Sequence, residues 1–168
     1  TLADLGEMLF YDARLSQTDW FSCHSCHTDG HTIGQVADNL SDGGFGAHGY
    51  SNLNSTYYAL AVLSNINYNV KSLRKTLSYV RACEKPYGGF TIIPDSVNPY
   101  MEHIYYGTAA LTILGETVRY PEETAEFILK CQNLNGGFAR SDLGIATFED
   151  TYYAISVLQI IEKGEVEY

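Results

Sequence analysis

Gln132-Asn133-Leu134-Asn135-Gly136-Gly137-Phe138 is the stretch on which the fold of this chain turns. A glycine pair supplies the positive-φ backbone that ends a helix, and the phenylalanine after it offers a large ring to bury. The same turn stands earlier as Gly88-Gly89-Phe90 and Gly43-Gly44-Phe45, at spacings of 48 and 45 residues. Cys83 and Cys131 lie five residues ahead of the last two copies, at matched repeat positions that suit buried thiols. Outward from each turn the echo continues. An aromatic pair follows each one, Tyr57-Tyr58, Tyr105-Tyr106 and Tyr152-Tyr153, spaced by 48 and 47. Each pair opens a run of small and apolar residues: Ala59-Leu60-Ala61-Val62-Leu63, Gly107-Thr108-Ala109-Ala110-Leu111 and Ala154-Ile155-Ser156-Val157-Leu158. Three signals holding one period of about 47 residues mark an internal repeat.

Each repeat reads as two helices. Val70, Leu73, Leu77, Val80 and Cys83 fall on one face, with Lys71, Arg74, Lys75 and Arg81 mostly elsewhere, which is an amphipathic outer helix. Pro121 followed by Glu122 and Glu123 starts a second outer helix, because proline suits the first turn and acids suit the dipole there. That helix carries Phe127, Ile128 and Leu129 and stops near Asn133. The partner helices, near 54–66, 101–115 and 148–162, are apolar nearly all round and are expected to be the buried, inner ones.

With these motifs in place, residues 39–163 resemble the prenyltransferase and squalene–hopene cyclase family of α/α toroids, whose shared motif is Gln-x3-Gly-x-aromatic. The copy at Gln132 is complete; Glu84 and Asn39 replace the glutamine in the earlier ones. The resemblance implies an all-α fold with two concentric layers of helices about an apolar cavity. Three helical-hairpin repeats make an incomplete α/α toroid, left to partner chains, to a longer protein or to an open arc. The family's zinc enzymes hold the metal with an Asp-x-Cys pair and a histidine on neighbouring inner helices. His103 matches the histidine segment, but the Asp-x-Cys positions fall on Asn52 and Asn54, or on Thr147 and Glu149. Neutral amides are poor zinc ligands, so the zinc prenyltransferase pattern is not retained. The cyclases' clustered acids are represented only by Glu149-Asp150 and Glu102. Asp150 is expected to cap or pair near an inner-helix start, and the tyrosines either line an apolar cavity or fill the core.

The first fifty residues carry another chemistry. Cys23-His24-Ser25-Cys26-His27 has the Cys-x-x-Cys-His spacing of covalent haem attachment. Upstream stands Leu5-Gly6-Glu7-Met8-Leu9-Phe10-Tyr11-Asp12-Ala13-Arg14-Leu15-Ser16. With that flank, residues 5–47 resemble the first haem segment of di-haem cytochrome c peroxidases. The resemblance implies haem c as cofactor, with Cys23 and Cys26 as thioether anchors and His27 as proximal iron ligand. His48, within Ala47-His48-Gly49-Tyr50, is a candidate sixth ligand; His31, Met8 and Met101 are rivals. Zinc on Cys23, Cys26, His27 and His31 is disfavoured, because so compact a set fits poorly around one tetrahedral ion.

Composition bounds these readings. The chain has 168 residues, 45% of them hydrophobic, and a formal charge of −10, which suits a folded globular protein and disfavours nucleic acid. No apolar run reaches the roughly 18 residues of a membrane helix, and no secretory signal is visible at the start of the chain. Acidity concentrates in residues 1–50 and 115–168, each at −6, while 51–114 carry +2. Taken together, the sequence divides into a c-type haem-binding segment, 1–42, and the helical repeats, 43–168. The expected function is that of a c-type haem protein, an electron carrier or weak peroxidase-like oxidoreductase, with the repeats as scaffold or docking surface. Covalent haem implies a periplasmic or extracellular setting, and the acidic surface implies a basic redox partner. The alternatives are a toroid that binds or modifies an isoprenoid-like apolar ligand beside a structural Cys-rich segment, and an interaction scaffold alone.

Overall fold

The computed structural model describes residues 40–163 except His48. Cys23, Cys26 and His27, together with His48, His31 and Met8, lie outside the described residues. A two-residue hairpin, β1 (Gly46–Ala47) and β2 (Tyr50–Ser51), leads into α1 (Leu53–Asn65). After a 3-10 turn at Val70–Ser72 come α2 (Arg74–Cys83), α3 (Met101–Leu114), α4 (Pro121–Lys130) and α5 (Phe148–Lys163). The described residues are therefore all-α apart from that hairpin, and the helix positions expected from the repeat are met within one residue on the inner side. On the outer side, the stretch read as one helix from Val70 is a 3-10 turn followed by α2.

Local chemistry sets these ends. The Asn52 side chain accepts the Ser55 N–H at 2.8 Å and caps α1. Thr147 does the same for α5, its hydroxyl accepting the Asp150 N–H at 3.0 Å and donating to the Asp150 carboxylate at 2.6 Å. Asp150 therefore pairs near the inner-helix start, as one of its two expected roles has it, and the cap itself is Thr147. Gly115, at φ 79°, closes α3 in the left-handed conformation. α2 has a costlier start, since Arg74 and Lys75 oppose the helix dipole and no side chain caps it.

The inner helices α1, α3 and α5 lie side by side with α3 in the middle, while α2 and α4 pack on their outer side. Each Gly-Gly-Phe turn drives its ring inward, so that Phe45, Phe90 and Phe138 are all buried. Phe90 lies against α3 where Gly107 stands; a Cβ at that position would overlap the ring. The core is completed by Leu53, Leu60, Val80, Met101, Ile104, Leu111, Ile128 and Val157. Cys83 and Cys131 are buried free thiols, as their repeat positions suggest. One expectation needs correcting. Of the three inner helices only α3 is buried over most of its surface; α1 and α5 bury short stripes and leave Val62 and Ile155 partly exposed. Among the described residues the central helix has inner neighbours on both sides, and each flanking one has an inner neighbour on one side.

Candidate functional site

The aromatic pairs, one per repeat, fall on adjacent inner helices and meet as a ladder. Tyr105 stacks on Tyr153 with ring centres 4.6 Å apart, and Tyr57 stacks on Tyr106 at 5.0 Å. An edge contact joins Tyr57 to Tyr105 at 6.0 Å, and a tilted one joins Tyr105 to Tyr152 at 5.8 Å. Each such pair adds about 0.5–1.5 kcal/mol beyond the area it buries.

The two members of each pair do different jobs, because neighbouring residues on a helix point about 100° apart. Tyr58, Tyr106 and Tyr153 turn toward one another. Tyr58 and Tyr106 share a hydroxyl hydrogen bond of 2.9 Å, Tyr106 and Tyr153 share one of 3.2 Å, and Tyr153 donates to Glu149 at 2.8 Å. Hydrogen bonding to Tyr106, with burial, pushes the Tyr58 hydroxyl up to about 12. Burial, with the neighbouring hydroxyls, raises Tyr106 and Tyr153 to about 12 as well. These hydroxyls stay neutral at physiological pH.

Tyr57, Tyr105 and Tyr152 line a groove of about 890 Å³, the first two half-buried against the core and Tyr152 exposed. Ala109, Ile113 and Ile160 supply apolar lining, Thr112, Ser156 and Gln159 stand among them, and Lys163 lies toward the carboxyl end of α5. The groove is open to solvent, and its lining is more apolar than polar.

At the opposite end of the inner helices, Asn54, Glu102 and Glu149 occupy one repeat position. Glu102 is not the isolated acid that its sequence neighbours suggest: it accepts from Arg140 at 2.6 Å and lies 3.3 Å from the His103 Nε2. Arg140 also sits 4.3 Å above the Tyr100 ring. Burial depresses the pKa of His103 and keeps the imidazole neutral, and its Nδ1 has no partner. The residues at the family's zinc positions are occupied elsewhere: Asn52 and Thr147 cap helices, and Glu149 accepts from Tyr153. Among the described residues no three His, Cys, Asp or Glu side chains gather closely enough to hold a metal ion. Met101, a rival haem ligand by sequence, is wholly buried in the core.

Sequence reasoning found the tyrosine pairs but not their hydroxyl chain, although the shared phase of Tyr58, Tyr106 and Tyr153 carries that signal. It missed the Glu102–Arg140–Tyr100 cluster, whose partners lie 38 residues apart with no motif to join them.

The family model of the prenyltransferase alpha-alpha toroid domain matches residues 7–167, a span that also runs across the boundary expected at residue 42. No curated protein matches the chain at the level that marks a relative.

Proposed function

The chain belongs to the prenyltransferase alpha-alpha toroid domain family, and on that premise we propose that its tyrosine-lined inner face binds an apolar, isoprenoid-like ligand. The observation that carries this reading is the groove itself, lined by Tyr57, Tyr105 and Tyr152 with Ala109, Ile113 and Ile160, and with Lys163 toward the carboxyl end of α5. Tyrosine rings offer wide apolar faces whose negative π clouds suit both alkene chains and cationic carbon. The interlocked second row holds those rings in place, so binding does not have to pay for ordering them. Titration with a prenyl diphosphate, followed by native mass spectrometry, tests the reading. A saturable one-to-one complex is expected, weakened at least tenfold in Tyr105→Ala; no saturable complex, or one indifferent to Tyr105, overturns it.

A second reading rests on the sequence of the amino-terminal segment. Cys23-x-x-Cys26-His27 has the spacing for covalent haem c, with His27 as the iron ligand and His48 as candidate for the opposite side. The chain would then carry electrons outside the cytoplasm, in the periplasm or beyond, from or to a basic partner protein, with the repeats as its docking scaffold. Visible absorbance of the reduced protein checks this: a sharp α band lost in Cys23→Ala supports it, and colourless protein from a host competent in haem attachment sinks it.

A further inference from the structure

A tyrosine hydroxyl has one proton to donate, so a row of hydroxyls is ordered by whatever stands at its end. Here the end is Glu149, whose carboxylate accepts from Tyr153 at 2.8 Å. With its proton committed, Tyr153 can only accept from Tyr106 at 3.2 Å, and Tyr106 in turn can only accept from Tyr58 at 2.9 Å. Every bond therefore points one way, from Tyr58 on α1 through Tyr106 on α3 and Tyr153 on α5 to Glu149. Such a chain delivers a proton from its first oxygen to its last by three short transfers, and leaves no hydroxyl charged.

The rings of the same residues run beside the hydroxyls. Tyr58 and Tyr106 have ring centres 5.4 Å apart, and Tyr106 and Tyr153 have theirs 5.7 Å apart. Tyr57 and Tyr105 reinforce the path, stacked on Tyr106 at 5.0 Å and on Tyr153 at 4.6 Å. Rings this close exchange an electron in short hops. The obstacle to oxidising a phenol is its proton, because a phenol that loses an electron becomes a strong acid. The oxidation is accessible where a base takes that proton in the same event. Glu149 serves as that base for all three tyrosines, directly for Tyr153 and through the row for the other two. Exposure separates their roles. Tyr58 is 54% exposed and can meet a dissolved oxidant, whereas Tyr106 and Tyr153 are buried, where a radical is kept from coupling with another. Glu149 is exposed and can pass the proton on to water.

We infer that this row is a redox-active site: it gives one electron to an outer-sphere oxidant, a high-potential metal centre, that meets Tyr58, and it holds the hole as a neutral tyrosyl radical on the buried tyrosines. The oxidant gains one electron, the O–H bond of the oxidised tyrosine breaks, the Glu149 carboxylate becomes a carboxylic acid, and a neutral phenoxyl radical remains. Wherever the hole rests among Tyr58, Tyr106 and Tyr153, the displaced proton ends on the same carboxylate. Movement of the hole along the row therefore requires no second base. The site needs neither a ligand in the groove nor a haem, so it stands apart from both functional readings above.

Flash oxidation of the full chain by photogenerated tris(bipyridyl)ruthenium(III) tests it, with tyrosyl radical followed by transient absorbance and by electron paramagnetic resonance of freeze-quenched samples. Glu149→Gln discriminates, because the amide oxygen still accepts the Tyr153 hydrogen bond but takes no proton. It is expected to keep the native circular dichroism and to lose the long-lived radical several-fold in yield. Tyr153→Phe keeps the ring, cuts the row from its base, and should do the same. Tyr50→Phe and Tyr87→Phe, at exposed positions outside the row, should remove short-lived signal only. An undiminished long-lived radical in folded Glu149→Gln overturns the inference, as does its survival in Tyr153→Phe or its absence from the native chain. If Glu149→Gln does not fold, Tyr153→Phe set against the two exposed-tyrosine controls decides alone.

Discussion

Tyr106 takes part in both tyrosine networks, stacked under Tyr57 and hydrogen-bonded to Tyr58 and Tyr153. Its raised pKa has a consequence for stability. A group that prefers its neutral form in the folded state contributes fully below its ordinary pKa of 10.0 and loses that contribution as pH rises through about 12. Tyrosinate absorbance should therefore show Tyr58, Tyr106 and Tyr153 ionising well above the ordinary tyrosine value of 10.0, with stability falling from pH 10 to 12. Ionisation of all tyrosines near 10 in native protein counts against the hydroxyl chain. Tyr106→Phe keeps the ring and removes both hydroxyl bonds, and should cost on the order of 1 kcal/mol by chemical denaturation. His103 works in the other direction. Its burial lowers its pKa, so the stability it contributes is present above about 6.5 and declines as pH falls below it. His103→Gln should flatten that acid limb of the stability profile.

At the scale of elements, repeat-equivalent positions act as controls for one another. Met101 and Phe148 begin α3 and α5, yet one is fully buried and the other fully exposed. Met101→Ala should cost about 2–5 kcal/mol through lost burial and the cavity left behind, whereas Phe148→Ala should stay within about 0.5 kcal/mol. Thermal unfolding of the two variants separates them, and equal losses would contradict the packing of the inner helices. The turns offer the same comparison. At Gly136 a side chain meets only the strain of φ 87°, about 1 kcal/mol for alanine. At Gly88 alanine adds an overlap with Glu123 to a similar strain at φ 98°, so Gly88→Ala should cost clearly more than Gly136→Ala. The helix positions were legible because local rules write them. Pro121-Glu122-Glu123 announces a start, but the caps at Asn52 and Thr147 were not read from sequence, and the outer helices end at Cys83 and Lys130, ahead of the glycine pairs expected to stop them. The short form of α2 was less legible, since the apolar stripe from Val70 continues through a 3-10 turn without a break in period.

Across the whole molecule, stability follows position in the arc. Repeat arrays hold each unit mainly by its neighbours, so units with one neighbour open first. Amide exchange should be slowest in α3, which is packed on both sides, and faster along α5; uniform protection would contradict the arrangement. The period of about 47 residues, the two helices per unit, the all-α class and membership of the toroid family were all set by sequence, because turn glycines, helix caps and apolar stripes act over a few residues. The partnership of Glu102 with Arg140, the split of each tyrosine pair into a groove row and a hydroxyl row, and the fate of Phe148 were not. Each depends on which helix lies beside which. Leu53, Met101 and Phe148 occupy one sequence position with similar apolar side chains, and only the presence of a following unit decides whether that position is core or surface.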